Sequence, residues 1–485
     1  MATLGIRQTK PLSQVDWREQ SDYNFEMLPR RVWIYGPALV VCLGCAQKQQ
    51  VGAQHKADPI RPNIIFIMAD DLGYGELGCY GSKQISTPRL DKMAGEGIRF
   101  TQAYSGNTLC APSRCALLTG LHTGHTLVRA NVDVPLRPQD KTVAEILKAA
   151  GYETGIIGKW GLGPENTTGV PNKKGFDFFY GVLTHKEAHN YYPDFVYRNE
   201  QHERTRNVLL RENVSRVKLD YFPDLMTKEA IGFIDRSKKV GKPFFLYLPY
   251  TLPHVNNEQT PEHQNEIASL GRYANEPWTL ANRGHAAMIT YLDSEVGKIL
   301  DEVQRQGIDK DTIIIFTGDN GPLVVDGVDP VFFKSSGALR GYKRDLYEGG
   351  MRVPLIVRWP GHSPQGKISS RPTASWDLMQ TFADLAGSTE KFRTDGVSIA
   401  PDFEGLPNPI KPKPMYWEAH EGGYKQAVRV GEWKLILTPS SHKIELFDLA
   451  SDPGETKNVS KEQPELVKNL LQTIRAEWTP PLAKH

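Results

Sequence analysis

Short apolar runs recur along the chain, and several are closed by polar residues of one chemical kind. Ile64-Ile-Phe-Ile-Met-Ala69 ends in Asp70-Asp71, and Thr312-Ile-Ile-Ile-Phe-Thr317 ends in Gly318-Asp319-Asn320-Gly321. Thr154-Gly-Ile-Ile-Gly158 ends in Lys159, and Phe244-Phe-Leu-Tyr-Leu248 leads into Thr251-Leu-Pro-His254. Runs without alternation are expected of strands covered on both faces. Between them the apolar spacing turns helical, over Thr87–Glu96, Val143–Ala150, Leu225–Ser237 and His285–Gln306. In the last, Met288, Leu292, Val296 and Leu300 recur every fourth residue and form one buried stripe. Alternation of such strands and helices predicts an α/β domain with a mainly parallel sheet. After about Gly387 the texture changes. Met415-Tyr-Trp-Glu, Gln426-Ala-Val-Arg-Val, Trp433-Lys-Leu-Ile-Leu and Glu445-Leu-Phe-Asp-Leu are short strands separated by turns, and Pro464–Trp478 is a closing helix. The expected organisation is a leader over residues 1–61, a catalytic domain over 62–387 and an antiparallel-sheet subdomain over 388–485.

In parallel sheets ligands bind outside the carboxyl ends of the strands. Asp70, Asp71, Asp319, Asn320, Lys159 and His254 should therefore gather at one edge. Three carboxylates and an amide oxygen suit a hard divalent cation, Ca²⁺ or Mg²⁺, better than zinc. Taken singly, each piece has a plainer reading. Asp70-Asp71 could be a solvated turn or a helix cap, and Asp319-Asn320-Gly321 a tight turn. Their shared position after separate apolar strands favours the metal site.

Cys110-Ala-Pro-Ser-Arg-Cys-Ala-Leu-Leu-Thr-Gly120 stands out chemically. Pro112 fits the first turn of a helix and Gly120 its end. Cys110 then lies at a helix N-terminus, where free N–H groups favour an anion, and Arg114 adds a forked cation. A buried structural cysteine is the plain alternative. A zinc site from Cys110, Cys115, His122 and His125 has a spacing that fits no usual finger.

Composition narrows the class. Of 485 residues, 39% are hydrophobic and 24% charged, enough for a sizeable core, and the net charge of +2 carries no basic stripe, which argues against a nucleic-acid partner. Near the start, Arg30-Arg31 precedes a short apolar run that ends at Cys45, resembling a secretory signal with a bacterial lipobox. The expectation is an exported protein, periplasmic or associated with the outer membrane, with a lipid anchor at Cys45 and with Met27 as the start. Beyond this leader only Cys79, Cys110 and Cys115 remain, an odd number that frames no disulfide network.

The Cys110 segment resembles the C-x-P-S-R-x-x-L-x-T-G signature of type I sulfatases, with Pro112, Ser113, Arg114, Leu117, Thr119 and Gly120 all in place. Other blocks follow in order: the strand-end aspartates, Gly158-Lys-Trp-Gly-Leu-Gly163, Pro253-His254, and Leu339-Arg-Gly-Tyr-Lys-Arg-Asp-Leu-Tyr-Glu-Gly-Gly-Met-Arg-Val-Pro354. The resemblance implies an alkaline-phosphatase-like fold: a large mixed, mainly parallel sheet flanked by helices, with a smaller C-terminal antiparallel sheet and helix. It implies hydrolysis of sulfate esters, the expected substrates being sulfated carbohydrates rather than aryl sulfates. It also implies that a maturation enzyme oxidises Cys110 to formylglycine, whose hydrate attacks sulfur. On the same basis Asp70, Asp71, Asp319, Asn320 and residue 110 hold the cation. Arg114, Lys159 and Lys343 hold the sulfate, and His254 protonates the departing alcohol. A phosphoester hydrolase of the same superfamily and an inactive sulfated-glycan binder are the alternatives. One departure stands out: many members carry histidine where this chain has Gly161. His122, His125, His185 and His189 are candidates to replace it, and His125, His185 and His189 are expected to shape the substrate pocket.

Overall fold

The computed structural model describes residues 61–211 and 213–482. The expected leader, with Cys45, lies outside the described residues but for residue 61. The described residues all belong to one compact unit, so the catalytic part and the C-terminal sheet form one body.

The apolar runs are the centre of a ten-stranded sheet among the described residues. Thr312–Gly318, Asn63–Ala69, Phe244–Pro249 and Glu153–Lys159 lie side by side in that order, all parallel. Phe178–Val182 continues them in parallel, and a hairpin of Phe195–Arg198 and Gln201–Arg204 closes that edge antiparallel. On the other side Leu355–Arg358 runs antiparallel between Thr312–Gly318 and Ile98–Phe100, and Lys367–Ser369 forms the far edge. The sheet is thus mixed, with its parallel strands in the middle, where both faces are covered.

Helices Pro88–Gly95, Phe222–Val240 and Leu280–Arg305 cover one face, and Cys110–Thr119, Val143–Ala149 and Asp377–Leu385 the other. In the longest helix Met288, Leu292 and Val296 are fully buried, as the four-residue spacing predicts. That helix starts five residues before the predicted His285. Thr279 caps it by accepting from the Asn282 N–H. Gly284, which weakens the sequence pattern, is a packing requirement: a Cβ there would lie 2.7 Å from the Cβ of Asn265. The helix predicted from Leu225 likewise begins earlier, with Pro223 in its first turn.

Met415–Ala419, Lys425–Val430, Trp433–Thr438 and Lys443–Asp448 form an antiparallel sheet whose period-two alternation is used on both faces. Tyr416, Val428, Leu435 and Leu446 face Leu470 and Ile474 of helix Pro464–Glu477. Trp417, Ala427, Ile436 and Phe447 pack with Tyr104 and Trp376.

Candidate active site

Because the four central strands are neighbours and parallel, their carboxyl ends deliver the predicted residues to one place. Asp70 N–H donates to Leu252 O (2.9 Å) and Asp319 N–H to Ala69 O (3.0 Å), so the adjoining chains are tied just past the sheet. Asp71 N–H donates to Asp319 Oδ1 (3.0 Å), and Asp71 has a φ of 66°, an unfavourable left-handed conformation for a non-glycine residue.

Cys110 is the first residue of helix Cys110–Thr119, every residue of which is buried. Leu109 precedes it in extended backbone, and Gly120 ends the helix at φ 67°. The Cys110 Sγ lies 3.4 Å from Asp70 Oδ1, 4.0 Å from Asp71 Oδ1 and 3.5 Å from Lys343 Nζ. Burial, followed by the charge of Asp70, pushes the thiol far above its ordinary range, so as cysteine it is no thiolate nucleophile. The zinc grouping of Cys110 and Cys115 with His122 and His125 does not form. Cys115 packs in the core, and the two histidines lie past the helix's other end, about 15 Å along its axis.

Around the sulfur the charges alternate. Lys159 Nζ donates to Asp70 Oδ2 (2.7 Å), and Lys343 Nζ lies 2.7 and 2.8 Å from the two oxygens of Asp71. Arg114 Nε and Nη2 donate to Asp319 Oδ2 at 3.2 and 2.8 Å, while its Nη1 donates to Lys159 O at 3.2 Å. His254 Nδ1 donates to Val255 O (2.7 Å), which leaves Nε2 facing Asp71 Oδ2 at 3.4 Å. The electrostatic consequences differ by residue. Burial would raise Asp70, but Lys159, His254, Arg114 and Lys343 hold it well below the usual carboxylate range. Asp319 is pushed up to about 7 by burial and then by Asp70. His254 is pulled down to about 4 by burial, which Asp71 and Asp70 only partly oppose.

Ligand atoms of Asp70, Asp71, Cys110 and Asp319 all lie within 4.8 Å of one another. Asn320 Oδ1 is buried there without a hydrogen-bond partner, while its Nδ2 donates to Asp71 Oδ1 at 2.7 Å. An orphaned amide oxygen beside converging carboxylates is the donor set a hard cation completes, so the residues present fit a divalent ion.

The remaining predicted histidines separate. His185 lies against Gly161, with Nε2 3.2 Å from its carbonyl oxygen. His189 stacks on His254 with ring centres 4.8 Å apart and is held by Glu258 at 3.2 Å. His125 is not brought to the cluster, contrary to expectation. It lies beyond Gly120, where its Nδ1 meets Asp395 at 2.9 Å and its ring stacks on His122. The reason is geometric: the helix that presents Cys110 carries the following residues away from the site.

Supporting contacts went unread in the sequence. Ser113 Oγ donates to Asp319 O at 2.5 Å, so the serine of the cysteine segment braces the opposite strand end. Tyr191 Oη lies 2.7 Å from Thr251 O and 2.5 Å from His254 O, fixing the loop that carries His254. Tyr191 lies two residues after His189, one of the histidines expected at the pocket, and that closeness is the one signal that could have drawn attention to it.

Residues 62–388 match the Sulfatase family, and residues 341–478 match the C-terminal region of N-sulphoglucosamine sulphohydrolase. The chain belongs to the sulfatase family. An N-acetylgalactosamine-6-O-sulfatase of Bacteroides thetaiotaomicron is 30% identical over 91% of this chain and 98% of its own length. Human arylsulfatase A is 31% identical over 86% of this chain and 88% of its own. Among solved structures, Ps i-CgsB superimposes with a TM-score of 0.75 at 30% identity, covering 87% of this sulfatase and 94% of that chain. The same protein has been solved with k-i-k-neocarrahexaose, at a TM-score of 0.75 and 29% identity, over 88% of this chain and 95% of that one. The sulfatase is an enzyme that hydrolyses sulfate esters, and the phosphoester alternative is not favoured.

Proposed function

We propose that this sulfatase removes sulfate from a sulfated carbohydrate, using formylglycine made from Cys110 by a maturation enzyme and a bound Ca²⁺ or Mg²⁺. The observation that carries the reading is the buried Cys110 at a helix N-terminus, within reach of Asp70, Asp71 and Lys343. The carbohydrate preference rests on relatives: one is named for N-acetylgalactosamine 6-O-sulfate, and another was solved with a neocarrahexaose. A galactose-type or N-acetylgalactosamine-type sulfate is the substrate class proposed.

The Cys110 Sγ stands where an oxygen of the hydrated aldehyde would be. That hydrate supplies a hydroxyl nucleophile that ordinary side chains do not offer. Asp70, Asp71, Asp319, Asn320 and residue 110 would hold the cation, which supplies a fixed positive charge for sulfate oxygens. Arg114, Lys159 and Lys343 add preorganised positive charge in a buried site, where such charge acts most strongly. Asp319, held by two hydrogen bonds from Arg114, would take the proton of the attacking hydroxyl. His254 is fixed by its Nδ1 bond to Val255 so that Nε2 faces the reacting groups. It is neutral alone, and a sulfate anion brought beside it favours its protonated, donating form. His189, stacked on His254, limits that ring's freedom.

Mass spectrometry of the tryptic peptide ending at Arg114 tests the reading, together with rates on 4-nitrophenyl sulfate, 4-nitrophenyl phosphate and sulfated galactosides. The expected result is loss of the thiol mass, with turnover of sulfate esters and little of the phosphate. A retained thiol in an active enzyme would overturn the formylglycine reading, and preference for phosphate the sulfatase one. We further propose export, to the periplasm or the outer membrane, with a lipid anchor at Cys45. Its support is the apolar leader alone, and a diacylglycerol-modified peptide at Cys45 is the check.

A further inference from the structure

Gly161 has a φ of 82°, and a Cβ built on it would lie 2.6 Å from Cε1 and 2.8 Å from Nε2 of His185. The space that a side chain at 161 would enter is filled by an imidazole from another segment, the loop after strand Phe178–Val182. A side chain at 161 and the ring of His185 are mutually exclusive there.

The ring is pinned at one end. Nε2 lies 3.2 Å from the Gly161 carbonyl oxygen, and a carbonyl only accepts, so Nε2 carries the proton. Nδ1 is then the bare, accepting nitrogen. It is buried and has no hydrogen-bond partner. An unmade buried acceptor is costly, so the site is built for a donor that the side chains as encoded do not supply. Burial, then Lys159 and Arg114, holds the ring well below its ordinary protonation range, which keeps it a neutral acceptor. The ring packs on Gly161, two residues past Lys159, and that segment borders the Cys110 cluster. Lys159 is bound to Asp70, and Arg114 lies on the Cys110 helix with Nη1 on the Lys159 carbonyl. Neither cation reaches Nδ1 with a hydrogen bond, and an O–H donor would complete it.

We infer that His185 is a positioning residue whose Nδ1 accepts a hydrogen bond from the hydrated aldehyde at residue 110, in the space a side chain at 161 would otherwise occupy. The inference rests on the formylglycine reading. Hydration adds one water across the carbonyl: its oxygen bonds to carbon and a proton goes to the carbonyl oxygen, giving two O–H groups without redox change. An acceptor aimed at one of them favours the hydrate over the free aldehyde and fixes its orientation.

The test compares wild type with His185→Phe, which keeps a ring but no acceptor, and His185→Gln, which restores an acceptor. His185→Leu serves if His185→Phe does not fold. Intact-protein mass spectrometry follows labelling of residue 110 by a hydrazide, which reacts with the free aldehyde, in the absence of substrate. Labelling of His185→Phe should be faster by about three- to tenfold, the worth of one hydrogen bond. Its kcat should fall by a similar factor or more with KM little changed, and His185→Gln should move both back toward wild type. Labelling of the acceptor-free variant at the wild-type rate would overturn the inference. Unchanged labelling with a raised KM would overturn it too, and give Nδ1 to a substrate hydroxyl. A retained thiol in active wild type, visible in the same spectra before the probe is added, would instead overturn the formylglycine reading beneath it.

Discussion

One stretch of sequence, Leu339–Pro354, feeds two buried charge clusters that behave differently. Lys343 reaches Asp71 and Cys110. Five residues on, Glu348 accepts from Lys434 Nζ at 2.9 Å and Tyr104 Oη at 2.6 Å, and pairs with Arg352 at 3.0 Å. Lys434 is shared with Glu455 at 2.8 Å, and Glu455 accepts from the Glu348 N–H at 2.6 Å. Both clusters are buried and mix signs. In the second, two carboxylates share Lys434: Glu348 falls to about 2 because Lys434, Arg352 and Arg429 outweigh its burial, while Glu455 is pushed up to about 7 by burial that Lys434 only partly offsets. In the first, three carboxylates and the Cys110 sulfur converge on one point, and an amide oxygen is left bare there. Buried charge alone therefore does not mark an active site. Convergence of like ligand atoms, left unsatisfied by the protein itself, does.

If the comparison holds, matched substitutions should separate activity from stability. Cys110→Ala should lower kcat/KM on a sulfate ester by about 10⁴-fold or more while moving the melting temperature little, since the thiol adds only a small side chain to the packing. Comparable turnover by that variant would break the assignment. Glu348→Gln should do the reverse. It leaves Lys434 and Arg352 buried with less compensation, at a cost of about 3–5 kcal/mol in unfolding free energy, with activity per folded molecule retained. Denaturant melts paired with titrated active enzyme check both halves.

The cation provides the next contrast. Ca²⁺ or Mg²⁺ at about 100 times its Kd should stabilise the wild type by about 2.7 kcal/mol. Asp319→Asn and Asn320→Ala should show less of that gain, and Glu348→Gln should show it in full. Equal stabilisation of all variants would place the ion elsewhere.

Much of this division was legible in the sequence. Apolar runs ending in Asp70-Asp71, Lys159 and Asp319-Asn320 exposed the site because a parallel sheet carries its strand ends to one edge, and these strands proved to be neighbours. The C-terminal alternation likewise gave its sheet and helix. The Glu348 cluster was not foreseen. Its partners come from Tyr104, Lys434 and Glu455, so it exists only once the small sheet docks on the large one. The pairing of Gly161 with His185 depends on a loop path that no periodicity encodes. His125 was misplaced because its short distance in sequence from Cys110 concealed a whole helix between them.

The smallest expected effect is on pH. Asp319 has a folded value of about 7, above its unfolded one, so without the ion its proton favours the folded state at low pH, and that contribution fades as pH rises through 7. Asp70 and Asp71 are shifted the other way, and their contribution is lost only as pH falls through their depressed values. The ion needs Asp319 ionised and competes with its proton alone near neutrality. Cation affinity should therefore be nearly flat above pH 8 and about tenfold weaker at pH 6, with close to one proton released per ion bound at pH 6. Calorimetry in buffers of different ionisation enthalpy reads both quantities. In Asp319→Asn the affinity is lower throughout and its pH dependence over this range is gone. A slope that persists in that variant would assign the proton to another member of the cluster and remove Asp319 as the group that sets the contrast with Glu348.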